Sequence, residues 1–162
     1  MNLPNIKDAR KRTKDKVNVY YDKYNIPEQI IDIGKNKKYF LLTYGCQMNV
    51  HDSENISGIM EEMGYSKTDN MEDSNIIILN TCAIRENAHN KVVGILGRIK
   101  HLKETKKDII TIIGGCMPQQ EGIANMLKDK YKWVDIVIGT HNIYELPLLL
   151  EKTINNRKQN KK

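Results

Sequence analysis

The stretch NIIILNTC at residues 75–82 is an apolar, largely β-branched run that ends directly at a cysteine. Such continuous runs are typical of strands that are buried on both faces of a parallel sheet. Three more runs of this kind are YFLLTY at 39–44, DIITIIGG at 108–115 and VDIVIGT at 134–140. A shorter candidate strand is YSKT at 65–68. Together these segments predict the strands of one α/β domain.

Amphipathic segments lie between the apolar runs and predict the helices that cover the sheet. The predicted helices are residues 52–64, 84–103, 118–130 and a C-terminal segment after residue 142. The first predicted helix has Asp52 or Ser53 as its N-cap and Gly64 as its stop. Before the C-terminal helix, Asn142 with Glu145 resembles a capping box. This alternation predicts a flavodoxin-like, doubly wound, mostly parallel five-stranded sheet in the order 2-1-3-4-5.

The chain of 162 residues has a net charge of +6, and the excess of lysine and arginine lies at its two ends. We therefore expect three parts: a basic, flexible or partly helical extension at 1–37, the α/β domain at 38–150, and a basic linker or tail at 151–162. No apolar run approaches the roughly 20 residues that span a bilayer, and the N-terminus lacks the apolar core of a signal peptide. The composition predicts a soluble, cytosolic protein without a membrane partner.

The cysteines are the most informative side chains, because each one directly follows a predicted strand. Cys46, Cys82 and Cys116 follow strands that the predicted order places side by side, so their thiols are expected to converge at one edge of the sheet. Thiolates favour zinc or iron-sulfur clusters, and a cubane 4Fe-4S cluster held at three of its irons fits this number of ligands. Two alternatives stay open: buried core thiols, and a zinc site completed by His51 or His89.

The residues around the cysteines carry a family resemblance. The motifs are TYGCQMN at 43–49, DSE at 52–54, NTCAIRENA at 80–88, KVVGILGRIKHLK at 91–103, GGCMPQQE at 114–121 and VDIVIGTHN at 134–142. In this order they resemble the N-terminal domain of the radical S-adenosylmethionine methylthiotransferases, over about residues 38–150. Gln47, Met48 and Asn49 favour the tRNA-modifying branch of that family over the branch that modifies a ribosomal protein.

The resemblance implies a function and a set of cofactors. It implies that Cys46, Cys82 and Cys116 bind an auxiliary 4Fe-4S cluster of an enzyme that transfers a methylthio group to C2 of N6-isopentenyladenosine, next to the anticodon of its tRNA substrate. S-adenosylmethionine and a second 4Fe-4S cluster belong to a radical domain with a CxxxCxxC motif. No such motif occurs in these 162 residues. We therefore expect a fragment that is inactive alone and works with its own radical domain.

Four polar motif residues, Asn49, Asn80, Arg85 and Gln119, are candidates for a second shell around the cluster. Helix capping is an equally good account of the two asparagines. A competing function is a non-catalytic flavodoxin-like binding module with buried cysteines. Flavin binding would require a phosphate-binding loop after the first strand, where the sequence offers only Gly45 and no run of serine or threonine.

Overall fold

The structure, a computed structural model, describes residues 26–82, 86–119 and 122–159. Within these ranges the chain forms five strands: β1 (Lys38–Tyr44), β2 (Ser66–Lys67), β3 (Ile76–Thr81), β4 (Ile110–Gly115) and β5 (Ile136–Val137). They form one sheet in the order β2-β1-β3-β4-β5, and every neighbouring pair is parallel. The predicted fold class and strand order are confirmed.

Helices cover both faces of this sheet. The α-helices of the described part of the chain are α1 (Gln47–Glu62), α2 (Glu86–Thr105), α3 (Ile123–Lys130) and α4 (Leu146–Gln159). Along β3, Ile76 and Ile78 pack into a core with α1 and α4, whereas Ile77 and Leu79 pack into a second core with α2 and α3. This alternation follows from the pleat of a strand, and it explains why the first four residues of β3 are all apolar.

The first helix begins earlier than the sequence predicts. Cys46 is its N-cap and Gln47 its first residue, so the predicted cap at Asp52 or Ser53 is wrong. Cysteine is outside the usual set of capping residues, and the side chain that accepts from the Cys46 N–H belongs to Asn49, in the first turn. The predicted stop is confirmed, because Gly64 has a φ of +85° directly after the helix.

The segment that was predicted as one helix from 118 to 130 is divided in two. A 3-10 helix spans Met117–Gln119, and α3 begins only at Ile123. Gly122 has a φ of +79°, which is a left-handed conformation that interrupts a continuous helix. The cysteine before this segment is therefore followed by a short separate turn.

Both ends of the described chain contribute to the fold beyond the predicted limits of 37 and 150. Ile30, in a 3-10 helix at Glu28–Ile30, is 1% exposed within one of the cores. At the other end α4 continues to Gln159, and its Arg157 donates to the carbonyl oxygens of Asp108 and Ile109. Among the described residues, no helix is long and apolar enough to cross a membrane.

Candidate functional site

The carboxyl ends of the three central strands lie in register. Tyr44 of β1 is the partner of Thr81 in β3, and Thr81 is the partner of Gly115 in β4. Cys82 and Cys116 come directly after the last two of these residues, and the third cysteine follows Tyr44 by two positions. The topology therefore brings the three strand ends that precede the cysteines to one edge, as the sequence predicts.

Gly115 allows β4 to approach β3 unusually closely at this edge. Its φ is +99°, and a Cβ atom on it would lie 2.2 Å from the carbonyl oxygen of Thr81. Only glycine fits this position, since any other residue would combine a strained backbone with a steric clash. The close approach places the Sγ of Cys116 3.8 Å from the same Thr81 oxygen, next to Cys82.

Gly45 has the corresponding role at the end of β1. A Cβ atom on Gly45 would lie 2.1 Å from Asn49 Oδ1 and 2.9 Å from the Cβ of Cys82. The loop that carries Cys46 is therefore packed directly against the side chain of Cys82. Glycines before the first and third cysteines thus bring both loops to the end of the middle strand.

The three thiols have different environments. Cys46 is exposed, Cys82 is buried and Cys116 is half-buried. Hydrogen bonds from the backbone of Asn49 and then Met48 lower the pKa of the Cys46 thiol, and the Cys82 side chain contributes in the same direction. The lowered pKa favours the thiolate form of Cys46, which is the form that binds metals.

The possible ligands that the described residues supply at this edge are the three free thiols of Cys46, Cys82 and Cys116. Among the described residues, no group of three or more His, Cys, Asp or Glu side chains is arranged to hold a single metal ion. His51 is exposed and shares a hydrogen bond of 3.2 Å with Asn55 on α1, and the side chain of His89 lies outside the described residues. In a cubane cluster each thiolate binds a different iron, so the sulfurs do not need to meet at one atom, and thiols are the donor type that such a cluster binds.

The structure also locates the predicted second-shell residues. Asn49 and Asn80 are 1% and 0% exposed, and their side chains are joined by a hydrogen bond of 3.1 Å directly behind the cysteine edge. Gln119 is exposed, and its Oε1 accepts from the hydroxyl of Thr140 at 3.2 Å, which ties the turn after Cys116 to the 3-10 helix (Thr140–Glu145) after β5. The prediction for Arg85 falls on a residue outside the described ranges.

Sequence reasoning missed Ser53 as part of this polar group. Its hydroxyl accepts from Asn80 Nδ2 at 2.8 Å and shares a hydrogen bond of 2.7 Å with Thr43 on β1. The signal was available in helical spacing, since Asn49 and Ser53 precede the buried Ile56 on one face of α1. Polar residues in line with an apolar stripe indicate a buried hydrogen-bonded network.

Fold and site together define a class: a doubly wound α/β domain with a cysteine after each of three adjacent parallel strands. Residues 38–139 match the model of the Uncharacterized protein family UPF0004, and the chain belongs to that family. This match confirms that the motifs around the cysteines mark a family domain.

Curated relatives extend the similarity over most of the chain. Proteins named tRNA-2-methylthio-N(6)-dimethylallyladenosine synthase from Geobacillus thermodenitrificans and Bacillus subtilis are each 48% identical over 149 residues, or 92% of this chain. A protein of the same name from Halalkalibacterium halodurans is 46% identical over 151 residues, or 93% of the chain. The chain spans only 28% to 29% of the length of these relatives.

Proposed function

We propose that this chain is the N-terminal domain that binds the auxiliary 4Fe-4S cluster in a tRNA methylthiotransferase. The complete enzyme would transfer a methylthio group to C2 of N6-isopentenyladenosine next to the anticodon. The observation that carries the proposal is the identity of 48% over 149 residues to synthases with that name, across the stretch that contains all three cysteines.

The proposed role of Cys46, Cys82 and Cys116 is ligation of the cluster. They lie at the ends of adjacent parallel strands, and the glycines before Cys46 and Cys116 keep their loops close to the middle strand. A cluster held by these three thiolates would supply an iron for an exogenous sulfur ligand. Thiolates committed to iron are not free nucleophiles, so no attack on the base is assigned to them.

The remaining parts of the reaction are assigned to protein beyond this chain. S-adenosylmethionine and a second 4Fe-4S cluster would bind in a radical domain within the part of the relatives that this chain does not cover. The tRNA substrate would be bound by the complete enzyme, in the cytoplasm. On this proposal the cluster-binding domain consists of residues 38–150 together with the flanking segments that pack on them, and the 162-residue chain has no transferase activity by itself.

Two alternatives were open in the sequence. The names of the relatives favour tRNA as the substrate over a ribosomal protein. A flavin-binding module is disfavoured because Asn49 occupies the space above Gly45, and its Oδ1 accepts from the Cys46 N–H at 3.1 Å. A flavin phosphate at the start of α1 would require such a backbone donor to be free.

The first test is anaerobic reconstitution of the purified chain with iron and sulfide. We expect about four irons and four sulfides per chain, as for one cubane cluster. The matched variant replaces Cys46, Cys82 and Cys116 by serine and is expected to take up no cluster. Equal iron uptake by this variant would refute the assignment of the ligands.

A second test concerns the transferase itself. This chain would replace the corresponding N-terminal region of the Bacillus subtilis relative, in cells that lack the native enzyme. We expect the chimera to restore 2-methylthio nucleosides in tRNA, measured by mass spectrometry, and the same chimera with Cys46→Ser to restore none. A chimera that accumulates, binds its clusters and leaves tRNA unmodified would contradict the proposed function.

A further inference from the structure

Two buried amides connect the strand ends that carry the cysteines. Asn49 Nδ2 donates to Asn80 Oδ1 at 3.1 Å and to the carbonyl oxygen of Thr81 at 3.3 Å. In return, Asn80 Nδ2 donates to the carbonyl oxygen of Asn49 at 2.7 Å and to Ser53 Oγ at 2.8 Å. Both side chains are thus tied to β3 and to α1, although 31 residues separate them in the chain.

Backbone groups fix the orientation of both amides. The carbonyl oxygen of Asn49 can only accept, so the Asn80 side chain must turn its NH2 group toward it and its Oδ1 toward Asn49. The carbonyl of Thr81 likewise requires the NH2 group of Asn49. The Oδ1 of Asn49 is therefore left to face Cys46, where it accepts from the backbone N–H at 3.1 Å and lies 3.5 Å from Sγ.

The Asn49–Asn80 pair also contacts the segment that carries Cys116. A Cβ atom on Gly115 would lie 2.6 Å from Asn80 Oδ1, so the chain before Cys116 passes directly over the Asn80 amide. The carbonyl of Thr81 accepts from Asn49 and also contacts the Sγ of Cys116. One pair of side chains is thus in contact with all three cysteine-bearing segments.

We propose that Asn49 and Asn80 are positioning residues that act as one clamp and set the relative placement of Cys46, Cys82 and Cys116 before any cluster is present. Capping of α1 would need only the Oδ1 of Asn49 and would not involve residue 80. The NH2 group of Asn49 makes contacts to β3, and the NH2 group of Asn80 makes contacts to α1, and capping leaves both unexplained. The functional consequence of the clamp rests on the proposed cluster site, whereas its effect on the Cys46 loop does not.

The test compares Asn80→Ala with the milder Ser53→Ala and with Asn125→Ala, an exposed asparagine on α3 that serves as the matched control. Hydrogen exchange of the Cys46 amide is measured by NMR on the folded, metal-free chain. We expect Asn80→Ala to speed this exchange by about fivefold, which corresponds to the loss of one hydrogen bond of average net strength. Ser53→Ala should give a smaller change in the same direction, and Asn125→Ala none.

The second readout is the cluster after reconstitution, compared at equal folded fraction. We expect Asn80→Ala to weaken cluster retention against a chelator by about 10- to 100-fold and to alter the EPR spectrum of the reduced cluster. Unchanged exchange at Cys46 in both Asn80→Ala and Ser53→Ala would overturn the clamp. If Asn80→Ala does not fold, Ser53→Ala decides alone. Failure of the wild-type chain to take up a cluster would refute the proposed function, while the exchange experiment would still decide on the clamp.

Discussion

Lys103 Nζ lies 2.7 Å from Asp135 Oδ2, at the amino ends of the strands and thus at the opposite end of the sheet from the cysteines. The same carboxylate accepts from Arg157 Nη2 and from the backbone N–H of Thr111. These contacts join the end of α2, the start of β5 and the last turns of α4. The ion pairs of Asp135 thus join elements at the amino ends of the strands, and the clamp joins elements at their carboxyl ends.

Asp135→Ala should be strongly destabilising. It leaves Lys103 and Arg157, whose side chains are only 12% and 27% exposed, without their carboxylate. We expect a loss of about 3 kcal/mol in the free energy of unfolding, near the lower end for a broken buried pair because some exposure remains. Urea denaturation measures it. Asp129→Ala, at an exposed position of α3, should change the value by less than about 0.5 kcal/mol, and a similar loss there would contradict a specific role for Asp135.

Gly115→Ala should damage both stability and the cysteine edge. A φ of +99° and a Cβ placed 2.2 Å from the Thr81 oxygen force the backbone to move. The strained backbone alone costs about 1–3 kcal/mol. Gly58→Ala is the control, because nothing lies within 4 Å of its added Cβ and the position is inside α1; it should stabilise by about 0.5–1 kcal/mol. Thermal unfolding of both variants checks this, and a neutral Gly115→Ala would contradict the close approach of β4 to β3.

The order in which the thiols react is predictable for the metal-free chain. Cys46 is exposed and has a pKa lowered by hydrogen bonds from the backbone of Asn49 and Met48, whereas Cys82 is 3% exposed. Iodoacetamide should modify Cys46 first and Cys82 last, as measured by mass spectrometry of digested samples. The rate at Cys46 should reach half its maximum at a pH below the ordinary thiol range. Modification of Cys82 first would contradict the arrangement of the site.

Stability at alkaline pH should depend on Tyr65. Burial raises the pKa of its phenol to about 12, and the ring is so close to Gly34 that an added Cβ would lie 2.2 Å from Cδ2. The unfolded chain loses this proton near pH 10, so the stability that the neutral phenol gives is present below pH 10 and is lost as pH rises toward 12. Two pKa units correspond to at most about 2.7 kcal/mol.

Tyr65→Phe should flatten this alkaline decline, and Tyr144→Phe, at an exposed position, should leave it unchanged. The decline that remains in Tyr65→Phe belongs partly to Tyr39, whose pKa is also raised by burial. The measurement is the urea midpoint as a function of pH. If the urea midpoint falls equally steeply with pH in the wild type and in Tyr65→Phe, the alkaline decline does not come from Tyr65.

The sheet was predictable because its strands are continuous apolar runs, and a run such as 76–79 has few alternatives to a buried parallel strand. The position of the cysteines after those strands followed from the same pattern. The start of α1 was not predictable from usual capping preferences, because Cys46 is the N-cap and a residue of the first turn completes the cap.

The bond between Asn49 and Asn80 could not be read from local sequence either. It joins residues 31 positions apart, and neither motif alone distinguishes a helix cap from a buried network. The contact between the two asparagines depends on tertiary structure: β1 and β3 are neighbours in the sheet, so α1 begins above the end of β3. The division of the third predicted helix likewise depended on the left-handed conformation of Gly122, which spacing alone does not reveal.

The most direct measurement of the central claim is the anomalous diffraction of iron in crystals of the anaerobically reconstituted chain. The account predicts one compact iron centre at the carboxyl edge of the sheet, bonded to the sulfur atoms of Cys46, Cys82 and Cys116 and to no other side chain. Iron located elsewhere, or a centre that omits one of these cysteines in favour of His51 or His89, would contradict it.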